Sequence, residues 1–194
     1  MAAGKFPKDI QYIFKTVFKN TTIRTVKPGS RQMKLGLPVM FVYDAKHKDD
    51  LPYWDSLPFS IVLAKYSDRF LGINLHYLPW TTRLQLGKML VRKTKNKNRF
   101  TYGDIKKAWT TLKLPEALLY LCIRTYLHSH IKSPVKQFDW ETYNDALKNI
   151  RPEFHKGSEK RILAAVRAKW ALHKKKAKAR RSRPKLRKNI RRGK

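Results

Sequence analysis

In 194 residues the chain carries 45 Lys and Arg against 13 Asp and Glu, a formal net charge of +32. Repulsion of that size is relieved by an anionic partner, most simply a phosphate backbone, although an acidic protein or an anionic membrane surface would serve electrostatically. A 42% apolar content with 5 Trp, 9 Tyr and 9 Phe excludes a wholly disordered basic chain, and the lone Cys122 excludes an intramolecular disulfide.

The first predicted element is a helix over residues 7–19. Pro7 suits its first turn, and Ile10, Ile13, Phe14, Val17 and Phe18 recur at spacings of three and four. So large an apolar load fits either packing on the core or docking to a partner protein. On the second reading Ile13, Phe14 and Phe18 are interface residues. Residues 21–26 are rich in β-branched side chains and predict a strand, and Pro28-Gly29-Ser30 predicts a turn. Residues 33–77 predict a small antiparallel sheet. It has a strand over 39–43, a proline-punctuated aromatic segment over 52–58, and a hairpin of 60–66 and 70–77 about Ser67-Asp68-Arg69. Tyr53 and Trp54 in the aromatic segment are further interface candidates. With Trp80 they are also rings on which bases could stack.

After Pro79, Thr81 or Thr82 caps a predicted helix to about Lys93. A basic loop follows, in which Arg92, Lys93, Lys95, Lys97 and Arg99 are candidate phosphate contacts. Thr101 with Asp104 reads as a capping box for the next helix, whose apolar face is Ile105, Ala108, Trp109 and Leu112. Residues 116–128 are predicted as the central core helix. Another helix spans 138–150 with Asp139 as its cap, and Ser158 caps a last helix bearing Ile162, Leu163, Val166 and Trp170.

From residue 171 the composition changes. Thirteen of the last 24 residues are Lys or Arg and none is acidic. Removing residues 160–194 still leaves 28 basic and 13 acidic residues, so the body is itself strongly basic. Lys174, Lys175, Lys176, Lys178, Arg180, Arg181, Arg183, Lys185, Arg187, Lys188, Arg191 and Arg192 are candidate nucleic-acid contacts, binding phosphates by counterion release without sequence preference. Charge density and Pro184 predict that the helix frays past about Trp170 until a partner binds.

Nothing in the residue pattern points to catalysis. His128 and His130 lie near Cys122 without a fourth metal ligand, Asp49, Asp50 and Asp55 are the nearest approach to a carboxylate cluster, and His76 reads as a core histidine. No metal, cofactor or enzymatic activity is expected. Nor is membrane insertion, since no apolar run reaches the ~18 residues of a span. The N-terminus does not read as a signal peptide, because Asp9, Gln11 and Lys15 interrupt any apolar core.

Four strings carry a resemblance. They are Phe41-Val42-Tyr43-Asp44-Ala45-Lys46-His47-Lys48, Leu51-Pro52-Tyr53-Trp54-Asp55, Phe70-Leu71-Gly72-Ile73-Asn74-Leu75-His76-Tyr77-Leu78-Pro79, and a block running from Cys122-Ile123-Arg124-Thr125-Tyr126 to Ser133. They resemble small basic virion structural proteins of large contractile-tailed bacteriophages, members often labelled DNA end protectors. The resemblance covers about half the chain. It implies a structural virion protein, assembled in the host cytoplasm, at the portal, neck, tail or baseplate. Its partners would be nucleic acid, DNA before RNA, and other virion proteins in a large assembly.

The expectation is therefore an α+β domain over residues 1–170, with a small antiparallel sheet and about five helices. A basic tail over 171–194 would be disordered, or helical when bound. A ribosomal or other ribonucleoprotein component, and a tail or baseplate subunit without nucleic-acid contact, remain the alternatives.

Overall fold

The computed structural model describes residues 5–19, 21, 23–94, 100–114 and 116–181. In chain order the elements are α1 (Lys8–Thr16), β1 (Arg24–Val26), β2 (Pro38–Met40), β3 (Trp54–Asp55), β4 (Phe59–Lys65) and β5 (Arg69–Asn74). A 3-10 turn (Leu75–Tyr77), α2 (Trp80–Thr94), α3 (Tyr102–Thr111), α4 (Glu116–Cys122) and β6 (Ile123–Leu127) follow. A second 3-10 turn (His128–His130), β7 (Val135–Gln137), α5 (Tyr143–Asn149), β8 (Phe154–His155) and α6 (Glu159–Arg181) complete the chain. Six strands form one antiparallel sheet in the order β1-β7-β2-β4-β5-β6, and β3 pairs with β8 in a separate ribbon. This is the α+β architecture expected from the sequence.

Side-chain alternation gives the sheet two unlike faces. Phe59, Ile61 and Ile73 point into the larger core, where they meet Leu86, Leu90, Trp109, Leu119, Tyr143 and Leu147 from the helices. Val62, Phe70 and Tyr126 point the other way and join Val26, Met33, Val39, Phe41 and Val135. On this second face Phe41 meets Tyr126 and Phe70 edge-on, with centroids 5.0 and 5.5 Å apart. Ser60 and Tyr126 bury a hydroxyl pair at 3.0 Å.

The predicted hairpin is present, but its return strand ends at Asn74. There the Asn74 carboxamide accepts from the His76 N–H at 2.9 Å and turns the chain into the 3-10 turn. The predicted strand over 39–43 is shorter and earlier, and Tyr43 keeps only a bridge to Ile131. The capping box forms as read: Asp104 N donates to Thr101 Oγ1 at 3.2 Å and Thr101 N to Asp104 Oδ2 at 3.0 Å. α2 begins at Trp80, so Thr81 and Thr82 sit in its first turn instead of capping it. Gly87 in α2 lets α5 close in, since a Cβ there would lie 1.8 Å from Tyr143 Cε1. Residues 138–142 precede α5 as irregular chain. Asp139 accepts from Thr142 N at 3.0 Å, while Phe138 and Trp140 are buried as expected.

The largest correction concerns residues 116–128. The helix stops at Cys122 and residues 123–127 become β6, paired with β5 from Ile73↔Ile123 to Arg69↔Leu127. Ile123, Thr125 and Tyr126 favour extended backbone, and the unpaired side of β5 supplies hydrogen-bond partners that no local propensity could reveal. His128 and His130 therefore follow a strand.

Candidate nucleic-acid interface

α6 is the most cationic element. Ser158 begins it as predicted: its Oγ accepts from Arg161 N at 3.3 Å and its carbonyl from Ile162 N at 3.0 Å. Ile162 and Val166 are buried, whereas Arg167, Ala168, Ala171 and Leu172 are exposed. The first two turns thus rest on α4 and the first 3-10 turn. The 23 residues of α6 reach about 34 Å at 1.5 Å per residue.

Its root is pinned by Arg83 on α2, which is only 2% exposed. Arg83 donates through Nε to Leu78 O at 2.7 Å, and through Nη2 to His76 O at 2.9 Å and to Glu159 Oε1 at 2.7 Å. Burial pulls the Arg83 pKa down, and the Glu159 carboxylate opposes that pull.

Glu159 is the last acid in the sequence. Beyond it, Lys174, Lys175, Lys176, Lys178, Arg180 and Arg181 all lie on helical backbone. Helical backbone runs on past Trp170 to Arg181. Ala, Leu, Lys and Arg are strong helix formers, and Pro184 is the first breaker. Arg183, Lys185, Arg187, Lys188, Arg191 and Arg192 lie outside the described residues, as do Lys95, Lys97 and Arg99. Lys88 and Arg92 are exposed one turn apart on the outer face of α2, and Lys93 follows on the same helix.

The apolar interface candidates divide. Phe18 is in the core, and Phe14 packs half-buried between Phe6 (5.3 Å) and Phe138 (6.3 Å), with Ile13 beside it. The first helix spends these three side chains internally, and Tyr12 and Val17 are its exposed apolar residues. Tyr53 and Trp54 instead line a cleft of about 470 Å³ together with Tyr77, Arg124 and Tyr126. Trp54 stacks on His155 at 4.7 Å and 9°. Trp80 is exposed elsewhere, at the start of α2.

Asp55 and Asn74 floor the cleft. Asp55 is buried, accepting from Leu57 N at 3.1 Å and Asn74 Nδ2 at 2.8 Å and pairing with His76 Nδ1 at 2.7 Å. His76 is the core histidine expected, with Nε2 unpartnered among the described residues. Asp49 and Asp50 are exposed, so the three aspartates do not converge. Among the described residues no group of three or more His, Cys, Asp or Glu is placed to hold a metal, and no helix is long and apolar enough to cross a membrane. Cys122 is buried and its thiol is pushed up to about 12, which makes it a poor nucleophile.

Sequence reasoning missed Arg124 and Arg83. Arg124 was hidden by reading its segment as helix. Once residues 123–127 are a strand, period-two alternation puts Arg124 and Tyr126 on one face together.

The fold and charge thus define a basic α+β protein with a long, cationic C-terminal helix. Residues 4–182 match the family described as phage T4 terminal DNA protecting protein, and the chain belongs to that family. The resemblance drawn from four short strings therefore holds over nearly the whole chain. The family's description concerns DNA termini and names no reaction. No curated protein and no solved structure matches the chain.

Proposed function

We propose that the protein is a structural component of the virion that sits on the ends of phage DNA. It grips phosphates without reading sequence and so denies exonucleases the terminus. The observation that carries this reading is α6: a helix anchored at its root by buried side chains, with no acid after Glu159 and six Lys and Arg between residues 174 and 181. A cationic rod of this kind releases condensed counterions along a duplex. The exposed Lys88 and Arg92 of α2 supply a second contact. The exposed Tyr12 and Val17 are the surface for other virion subunits. The role is protective, without turnover.

The test is protection of linear duplex DNA from exonuclease, together with a salt titration of binding. Full-length protein should protect the ends, with affinity falling steeply as salt rises. Deleting residues 171–194 should weaken binding more than a hundredfold at about 50 mM salt and flatten the log–log salt slope by several units. An unchanged slope overturns the role of the tail. Structured RNA displacing DNA at equal concentration favours a ribonucleoprotein role instead.

A further inference from the structure

We propose that the cleft between the 43–55 segment and β6 receives the phosphorylated terminal nucleotide of a DNA strand, the phosphate on Arg124 and the base against the aromatic wall. The proposal rests on the end-coating function above and supplies what that function lacks. Phosphate contacts along α6 are available anywhere on a duplex, so they cannot tell an end from an interior.

Arg124 is the central observation. It is half-buried, and its guanidinium carbon lies 4.4 Å over the Tyr77 ring. No carboxylate among the described residues pairs with it. Asp55, the acid in the cleft lining, is occupied by Leu57 N, Asn74 and His76. A guanidinium placed over and hydrogen-bonded to Tyr77, with no acid beside it, keeps donors for a phosphate. Lys46 at the cleft mouth adds a second, exposed cation.

The remaining wall is aromatic, with Tyr53 centred 6.0 Å from Tyr77. Aromatic faces accept any base by stacking. At about 470 Å³ the cleft is of small-ligand size, so it admits one nucleotide and excludes a duplex. The wall is held in place, because Lys156 Nζ donates to Lys48 O at 2.8 Å and to Asp49 O at 2.7 Å. The root of α6 is close by. Tyr77 packs on Phe154 of β8 at 5.4 Å, and Arg83 joins His76 O to Glu159. A strand end in the cleft therefore lies beside the start of the cationic helix.

The experiment compares full-length protein on two duplexes of one length at physiological salt. One has open ends with short 5′-phosphorylated overhangs, and the other is closed by hairpin caps. Wild type should prefer open ends at least tenfold, and removing the 5′ phosphate should lower that preference. R124Q should bring the open-to-closed ratio near one, the loss of a charge-assisted contact being worth about tenfold or more. Thermal denaturation shows whether R124Q is folded, and Lys46→Gln, at an exposed position, should lower the ratio about threefold. A ratio unmoved by both variants overturns the proposal. Equal binding of open and closed DNA by wild type overturns it while leaving DNA contact standing, whereas no binding to either duplex overturns the end-coating function as well.

Discussion

The inner and outer turns of α6 share one helix and almost nothing else. Residues 159–166 bury Ile162 and Val166 and place Glu159 on the buried Arg83. Arg167, Ala168, Ala171 and Leu172 are exposed, and after Glu159 the charge is entirely positive. Folding free energy and electrostatic affinity are thus separated along one axis.

The sharpest way to break this contrast is at Ile162. Ile162→Ala leaves a cavity under the helix root and should cost about 3 kcal/mol in urea denaturation. Deleting residues 171–194 should leave the unfolding midpoint nearly unchanged. A deletion as destabilising as Ile162→Ala would show that the outer turns pack on the body after all.

A smaller effect is expected at the anchoring pair. Glu159→Gln should cost about 1 kcal/mol, because the Glu159 side chain is 44% exposed and solvent screens it, even though Arg83 is buried. A double-mutant cycle with Arg83→Met isolates the coupling from the packing of the Arg83 stem.

The smallest effect is with pH. Burial raises the Cys122 thiol from its ordinary 9.0 to about 12 and raises the Tyr126 and Tyr143 phenols as well. These groups are neutral when folded and ionise more readily when unfolded. For Cys122 their contribution is complete below pH 9 and is lost between pH 9 and about 12. The melting temperature should fall across that window equally in full-length and tail-deleted protein, since none of these groups lies in the outer turns. A thiol reagent at pH 8 should leave native Cys122 unmodified.

The cleft was less legible in the sequence than the cationic helix. Tyr53 and Trp54 stood out as aromatic residues among prolines. Their partners Tyr77 and Arg124 are far along the chain, and one of them sat in a segment whose apolar content mimicked a helix. Short apolar runs do not separate buried helix from buried strand by period alone. Phe14 and Phe18 stayed open between core and partner for a related reason: an amphipathic pattern shows that a face is covered, not what covers it.

By itself the sequence determined what depends on near neighbours or on sums. These are the net charge, the acid-free C-terminal run, the Thr101–Asp104 cap, the hairpin about Ser67-Asp68-Arg69 and the start of α6 at Ser158. Each is a local hydrogen-bonding, turn or composition effect. Tertiary structure alone decided that residues 123–127 join β5, that Asp55 turns inward to His76, and that Arg124 lies on Tyr77 beside an open cleft. Those outcomes depend on backbone partners and burial supplied by residues tens of positions away, which no local preference encodes.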